Sequence, residues 1–302
     1  MHNWGPTMIA IIKLIFRVFL SEKSVSLIAL VLLLTSVTTL HAKPHPLTYS
    51  AVTVRDREAT IAAHTGIVTM LSGALDREVR IIVDRDNQSL VKDFIRGEVD
   101  IAYLGPLPFA VIYRNYPDLE VLVAVNEESG LAEYRCAMVS AYDGPISAGE
   151  VGGHIALTSP MSTCGYLSMA HIFATHGIDI EKLDYSFIGS HDQVALGVIR
   201  GHYTVGGVKD IVAEKYQGLL LQVLDSTPPL PGFVLVANRN TFSAAEMEQM
   251  RTTLLHAESA DYQSWGVGNY GFSSAEYLDY GLIDTLMTPA FRSRFMEGKH
   301  DH

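Results

Sequence analysis

The sequence predicts an α/β fold with two lobes that face each other across a cleft. Short apolar runs alternate with longer stretches whose apolar residues recur at helical spacing, from about residue 47 to residue 243. This alternation favours mostly parallel sheets, in which ligands bind beyond the carboxyl ends of the strands. Two such strand–helix junctions, at residues 99–109 and 154–165, lie well apart in the chain and favour two lobes. A single doubly wound domain is the alternative.

Each predicted element follows from a local pattern. Runs rich in apolar and β-branched residues predict strands at residues 47–52, 79–84, 99–104, 119–125, 134–140, 154–159, 185–190, 203–208, 219–226 and 233–238. Helical spacing predicts helices at residues 57–75, 88–97, 165–176 and 192–200, one that starts at the Gly105-Pro106 turn, and a mostly helical end after Ser243. Gly97, Gly177 and Gly201 stand where three of these helices end, as glycine commonly does.

The composition indicates a folded globular protein that does not bind nucleic acid. The 302 residues are 48% hydrophobic and 18% charged, with a formal net charge of −11. No basic stripe is available to displace the counterions of a nucleic-acid backbone. An anionic ligand is still possible, because a local ring of backbone amides can hold an anion on an acidic protein.

Residues 1–42 predict an export signal that is removed from the mature chain. Apolar residues interrupted by three basic residues precede an apolar run at 26–40, which is short for a membrane span. Ala42 follows, and no cysteine comes after the run, so a lipid anchor is not predicted. An uncleaved membrane anchor is the alternative. We expect the mature chain in a bacterial periplasm, where disulfides can form.

The segment "TSPMSTCGYL" at residues 158–167 is compatible with an anion-binding loop. The hydroxyls of Ser162 and Thr163 and the amides of residues 163–165, up to Gly165, meet at a predicted helix N-terminus, whose free N–H groups attract anions. An ordinary helix cap is the alternative interpretation, because serine and threonine are common caps.

Four segments, in this order along the chain, resemble the periplasmic phosphonate/phosphite/phosphate-type solute-binding proteins, a family that includes arsenite-binding sensors. They are "IRGEVDIAYLGPLPFAVIY", "SPMSTCGYL", "IGSHDQVALGVIRGHYTVGGV" and "DSTPPLPGFVLVAN". The resemblance implies a two-lobed fold of the type II periplasmic-binding-protein kind, with one lobe at 43–135 plus 232–302 and the other at 136–231. Ligand would bind between the lobes, and a membrane sensor kinase or ABC permease would recognise the closed form.

The resemblance also implies a set of ligand-binding residues. The set comprises Ser162, Thr163, Cys164 and Gly165 in the anion loop, with Cys136, Tyr103, Gly105, His191 and Asp192 opposite or beside it. A core aromatic, a turn glycine, a surface histidine and a capping aspartate are the structural alternatives for the last four.

The chain departs from the family pattern at four positions. Ser159 stands where the loop usually has aspartate, and Cys164 replaces a small hydroxyl residue. Thr204 stands where aspartate is common, which weakens the case for a phosphonate that carries an ammonium group. Cys136 falls where relatives tend to carry a small residue.

The two cysteines leave three interpretations open. A thiol at a helix N-terminus has a lowered pKa, and soft thiolate suits a thiophilic ligand such as arsenite, at Cys136 or Cys164. Inert core residues are the second interpretation. A disulfide, which needs Cα atoms within about 7 Å, is the third. The sequence favours arsenite sensing narrowly over binding of phosphite, phosphonate or phosphate for a transporter.

An enzyme is not predicted. Cys164 and His191 could form a nucleophile–base pair, but no motif supplies a third group to orient them. No cofactor is predicted either. The two histidines of the terminal "GKHDH" are a weak signal for a metal, because they lie at a chain end, and the remaining histidines show no metal-binding spacing.

Overall fold

The structure is a computed structural model that describes residues 45–52, 57–287 and 289–292. The predicted export signal at 1–42 lies outside these residues. Within them, no helix combines the length and the apolar character that crossing a bilayer requires. All the elements below belong to the unit that begins at Pro46.

The first sheet has six strands in the order β13-β4-β12-β3-β1-β2. Their bounds are β1 Leu47–Val52, β2 Val79–Asp84, β3 Ile101–Leu104, β4 Leu119–Val125, β12 Val234–Asn238 and β13 Phe272–Ser273. Strands β2, β1 and β3 run parallel to one another. Strand β12 lies antiparallel between β3 and β4, and β13 pairs antiparallel with β4.

The second sheet has five strands in the order β10-β6-β9-β7-β8. Their bounds are β6 Cys136–Ala141, β7 His154–Leu157, β8 Asp184–Phe187, β9 Val205–Lys209 and β10 Leu221–Ser226. Strands β8, β7 and β9 are parallel, whereas β6 lies antiparallel between β9 and β10.

Helices cover both faces of each sheet. Their bounds are α1 Arg57–Leu75, α2 Asn87–Ile95, α3 Pro106–Asn115, α4 Ser168–Thr175, α5 His191–Ile199, α6 Asp210–Tyr216, α7 Ala244–Leu255, α8 Ser259–Tyr262, α9 Gly281–Leu286 and α10 Pro289–Phe291. Apolar residues of α1 and α7 pack on one face of the first sheet, and those of α2 and α3 on the other. On the second sheet, α4 covers one face and α5 and α6 the other. The first three strands therefore read as apolar runs, because both faces are buried.

Two chain segments connect the sheets. They pair as a short antiparallel ribbon of β5, Glu133–Tyr134, and β11, Leu230–Pro231. The α/β class and the two-lobed architecture predicted from the sequence are therefore what the chain adopts. The exact lobe boundaries remain a proposal, and α9 bears on them: Ile283 and Leu286 pack in the apolar core that α4 shares with the second sheet.

Two details of the sequence prediction are wrong. The sheets are mixed and not mostly parallel, because the strand that follows each segment of the connecting ribbon, β6 in the second sheet and β12 in the first, runs antiparallel beside the parallel core. The predicted strand at 134–140 is two strands, since Tyr134 pairs with β11 in the connecting ribbon while β6 joins the second sheet.

Candidate functional site

A cavity of about 280 Å³ lies between the two lobes. The first lobe contributes the ends of β1 and β3 and residues of α1, α2 and α3; the second contributes the β7–α4 loop, the start of α5 and the end of β9. The lining residues are Val52, His64, Asn87, Tyr103, Gly105, Pro108, Tyr134, Thr158, Ser159, Met161, Ser162, Thr163, Cys164, Gly189, Ser190, His191, Lys209, Phe233 and Val267. The cavity thus lies at the carboxyl ends of parallel strands, where α/β folds bind ligands.

The predicted anion loop forms one wall of this cavity. Ser162 caps an irregular helical turn, Thr163–Leu167, that continues into α4, and its Oγ accepts a hydrogen bond from Gly165 N at 3.0 Å. Ser168 Oγ donates to the Thr163 carbonyl oxygen at 2.7 Å and steadies the turn. The Ser162 hydroxyl proton and the first N–H groups of the turn are left to donate to a ligand.

Thr158, which the site prediction omitted, brings an unsatisfied hydroxyl to the same wall. It follows β7 directly and is 5% exposed, yet its buried Oγ1 has no hydrogen-bond partner within the described residues. Gly165 makes room for it, because a Cβ at position 165 would lie 2.2 Å from Thr158 Oγ1. A buried polar group without a hydrogen-bond partner destabilises a protein by about 1–3 kcal/mol. A ligand that hydrogen-bonds to this hydroxyl would remove that cost.

His191 carries the second unsatisfied atom in the cavity. It is the first residue of α5, whose cap is Ser190, and its Nδ1 is buried without a partner among the described residues. Burial, reinforced by the nearby ammonium of Lys209, lowers the pKa of His191 to about 4. The imidazole is therefore neutral near pH 7 and carries one N–H. Because the Gly207 backbone also hydrogen-bonds the ring, Nδ1 donates to a ligand in the tautomer that holds the proton there.

Asp192 has a different position from the one predicted. It does not line the cavity, and its Oδ1 accepts from Lys215 Nζ at 2.6 Å and from Tyr216 Oη at 2.8 Å. Successive residues of a helix point in different directions, which accounts for Asp192 lying outside the lining while His191 lies within it. The expectation that Asp192 binds ligand is not supported.

Aromatic side chains form the opposite wall. The ring of Tyr103 stacks on Phe233 at 4.8 Å between centroids and meets the His64 ring edge-on at 5.0 Å. Burial raises the pKa of Tyr103 well above its usual value, so the phenol keeps its proton. Gly105 has an ordinary φ of −72°, so its backbone does not require glycine. The missing side chain instead leaves space for Phe233, because a Cβ at position 105 would lie 3.1 Å from Phe233 Cε1.

Direct contacts hold the lobes together around the cavity. Leu107 N donates to Thr163 Oγ1 at 3.2 Å, and Asn87 Nδ2 donates to the Met161 carbonyl oxygen at 3.2 Å. Each contact joins a helix of the first lobe to the anion loop of the second. A ligand bound between them would be desolvated, which strengthens its hydrogen bonds.

The two cysteines are joined in a disulfide, with 4.9 Å between their Cα atoms. Both are buried, at 1% exposure for Cys136 and 3% for Cys164. The expectation that a thiolate of Cys136 or Cys164 binds arsenite is therefore corrected: a disulfide sulfur has no thiolate to offer. Cys164 still lines the cavity, and its backbone belongs to the anion loop, whereas Cys136 does not line it.

The buried histidines predict a loss of stability in acid. Burial lowers the pKa of both His64 and His191 to about 4, from 6.5 in the unfolded chain. Protons thus bind the unfolded chain first, and stability present above pH 6.5 is lost as the pH falls towards 4, by about 1.4 kcal/mol per pH unit for each histidine. Urea unfolding between pH 7 and 4.5 should show this slope reduced in the His64→Gln/His191→Gln variant. The exposed His256→Gln serves as control, and equal slopes in all three proteins would contradict the prediction.

Comparison with known proteins supplies the family. The model of a family described as ABC transporter, phosphonate, periplasmic substrate-binding protein matches residues 49–280. The chain belongs to this family. The resemblance inferred from the four sequence segments is thereby confirmed, as is the expectation that the chain is a binding protein and not an enzyme.

Similar sequences and structures are consistent with the family assignment. The phosphate-import protein PhnD of Mycolicibacterium smegmatis is 25% identical over 190 residues, which are 59% of this chain and 59% of that protein. The match thus spans about three fifths of the relative's length. PhnD1 of Prochlorococcus marinus, solved in complex with methylphosphonate, superposes with a TM-score of 0.67 at 18% identity, covering 80% of this chain and 96% of that one. A binding protein component of an ABC phosphonate transporter from Pseudomonas aeruginosa gives 0.63 at 19%, covering 76% and 80%. These two structures show the shared fold.

Several cavity residues escaped the sequence prediction, among them His64, Tyr134, Thr158, Lys209 and Phe233. Thr158 directly follows β7, and Lys209 is the last residue of β9. Their positions at the carboxyl ends of parallel strands are the one sequence signal that could have identified them. His64 lies on the buried face of α1 and has the spacing of a core residue. The described residues contain no group of histidine, cysteine and carboxylate side chains that could hold a metal ion.

Proposed function

We propose that this chain captures a small phosphorus oxyanion, a phosphonate or phosphate, in the interlobe cavity and presents its closed form to an ABC permease. One observation carries the proposal: two buried polar atoms without partners, Thr158 Oγ1 and His191 Nδ1, belong to residues that line one cavity with the N-terminus of a helix. Family membership supports the class of ligand and of membrane partner.

The chemistry of the cavity suits a tetrahedral oxyanion. Its oxygens accept hydrogen bonds in several directions at once, and the hydroxyls of Thr158 and Ser162, the imidazole of His191 and the first amides of the loop are donors. The helix N-terminus adds a favourable field for negative charge. Hydrogen bonds to a charged acceptor are about twice as strong as neutral ones, which offsets the desolvation of the anion. We assign Ser162, Thr163 and Gly165 to the loop, and Tyr103 and Gly105 to the facing wall.

Calorimetric titration of the mature chain tests the proposal. We expect methylphosphonate or phosphate to bind, and Thr158→Val or His191→Gln to weaken binding about 10- to 100-fold each, the equivalent of one charge-assisted hydrogen bond. Thr69→Val and His256→Gln alter exposed residues outside the cavity and should leave the affinity unchanged. Failure of every phosphorus oxyanion to bind would overturn the proposal.

An arsenite arm separates the two ligand classes. In the oxidised chain we expect no binding of arsenite, because neither cysteine presents a thiol. Tight arsenite binding by the oxidised protein, with phosphorus oxyanions inert, would replace the phosphorus proposal by the arsenite one.

A further inference from the structure

Lys209 gives the cavity its charge. Among the described residues that line the cavity, Lys209 is the one basic residue other than histidine. None of these lining residues is an aspartate or a glutamate. The two lining histidines, His64 and His191, are neutral near pH 7, because burial lowers the pKa of each to about 4. Within the described part of the lining, a ligand therefore meets a single positive side chain and no carboxylate.

The ammonium of Lys209 is held firmly at the wall. Its Nζ lies 2.6 Å from Glu127 Oε1, 4.9 Å from the centroid of the Tyr134 ring and 5.8 Å from that of Phe233. Lys209 comes from the second lobe and Glu127 from the first, and their side chains are 18% and 24% exposed. Aromatic faces and a carboxylate together fix a cation within a partly desolvated site.

The order of these groups matters for a ligand. Lys209 lines the cavity whereas Glu127, its ion-pair partner, does not. A ligand with an ammonium group would meet the like charge of Lys209 and find Glu127 already paired. A ligand with a second negative group would meet the same ammonium, which has N–H donors left after its bond to Glu127.

We propose that Lys209 determines the charge specificity of the site: it selects phosphonates whose substituent is anionic, tolerates an uncharged substituent and excludes an ammonium-bearing one. The inference rests on the proposed function, because it concerns the substituent of a ligand whose oxyanion is held by the loop. It adds the charge class of that ligand and the residue that sets it.

Titration with three probes tests this specificity: phosphonoacetate, methylphosphonate and 2-aminoethylphosphonate. In the unaltered protein we expect phosphonoacetate to bind at least 10-fold more tightly than 2-aminoethylphosphonate, with methylphosphonate between them. Lys209→Met removes the ammonium partner of Glu127 and should reverse that order, whereas Lys209→Arg should retain it. Lys209→Met/Glu127→Gln removes both charges and should bring the three affinities within a few-fold of one another. The exposed Lys182→Met is the matched control.

The probes separate failure of this inference from failure of the proposed function. If methylphosphonate binds and the ratio of phosphonoacetate to 2-aminoethylphosphonate affinity is the same in the unaltered protein and in Lys209→Met, Lys209 does not set the specificity. If no probe and no phosphate binds the unaltered protein, both proposals fall. Circular dichroism and methylphosphonate binding by each variant report that it is folded.

Discussion

Gly165→Ala should abolish ligand binding and destabilise the protein by about 1–3 kcal/mol. An added Cβ would lie 2.2 Å from Thr158 Oγ1, 3.0 Å from Ser162 Cβ and 3.1 Å from Ser162 Oγ. Thr158 is only 5% exposed, and the open space beside it is the ligand cavity itself. The methyl group would displace the two hydroxyls that we assign to the oxyanion, so an affinity loss of about 100-fold or more is expected.

Gly73→Ala is the matched control. A Cβ at Gly73 meets no atom within 4 Å, and the residue lies inside α1. Alanine there should stabilise the helix by up to about 1 kcal/mol and leave binding unchanged.

Gly165→Ala/Thr158→Ala separates packing from binding. Removal of the Thr158 hydroxyl relieves the overlap, so this variant should regain much of the stability and none of the affinity. A Gly165→Ala protein that binds methylphosphonate or phosphate as the unaltered protein does would contradict our assignment of the loop.

Removal of the Cys136–Cys164 disulfide should cost about 3–4 kcal/mol of unfolding free energy and leave ligand binding within a few-fold. The bridge closes a loop with a sequence separation of 28, and a cross-link of that length restricts the unfolded chain by about this amount. Cys136→Ala/Cys164→Ala retains the backbone of the anion loop, and neither sulfur is among the donors we assign. Urea unfolding and calorimetric titration of this variant measure the two effects.

A reductant provides the control for the disulfide. It should destabilise the unaltered protein by a similar amount and leave the alanine variant unaffected. Two thiols titratable in the unfolded, unreduced protein, together with a stability that the reductant does not change, would contradict the presence of the bridge.

The fold was largely predictable from local patterns. Helix α1 matches the predicted range of 57–75, because apolar spacing alone sets it, and β1 and β2 match for the same reason. The mixed character of the sheets was not predictable in this way. Whether β12 runs parallel or antiparallel to β3 depends on where the chain crosses between lobes, and no local pattern encodes that crossing.

The site was predictable where its residues are contiguous and escaped prediction where they are not. Ser162 to Gly165 form one recognisable turn, and their positions agree with the loop that was expected. The Lys209–Glu127 pair joins residues 82 positions apart, on different lobes, so only the packed structure brings them together. The disulfide is similar: Cys136 and Cys164 are 28 positions apart and only the folded second lobe places β6 beside the β7–α4 loop, so the sequence left three interpretations of the cysteines open.

The most direct test of the account is a crystal structure of the mature chain with methylphosphonate. We expect its phosphorus group to lie between Thr158, the turn that starts at Thr163, and His191, with Thr158 Oγ1 and His191 Nδ1 within hydrogen-bond distance of its oxygens. A ligand bound elsewhere, or an interlobe cavity that stays without ligand at saturating concentration, would contradict it.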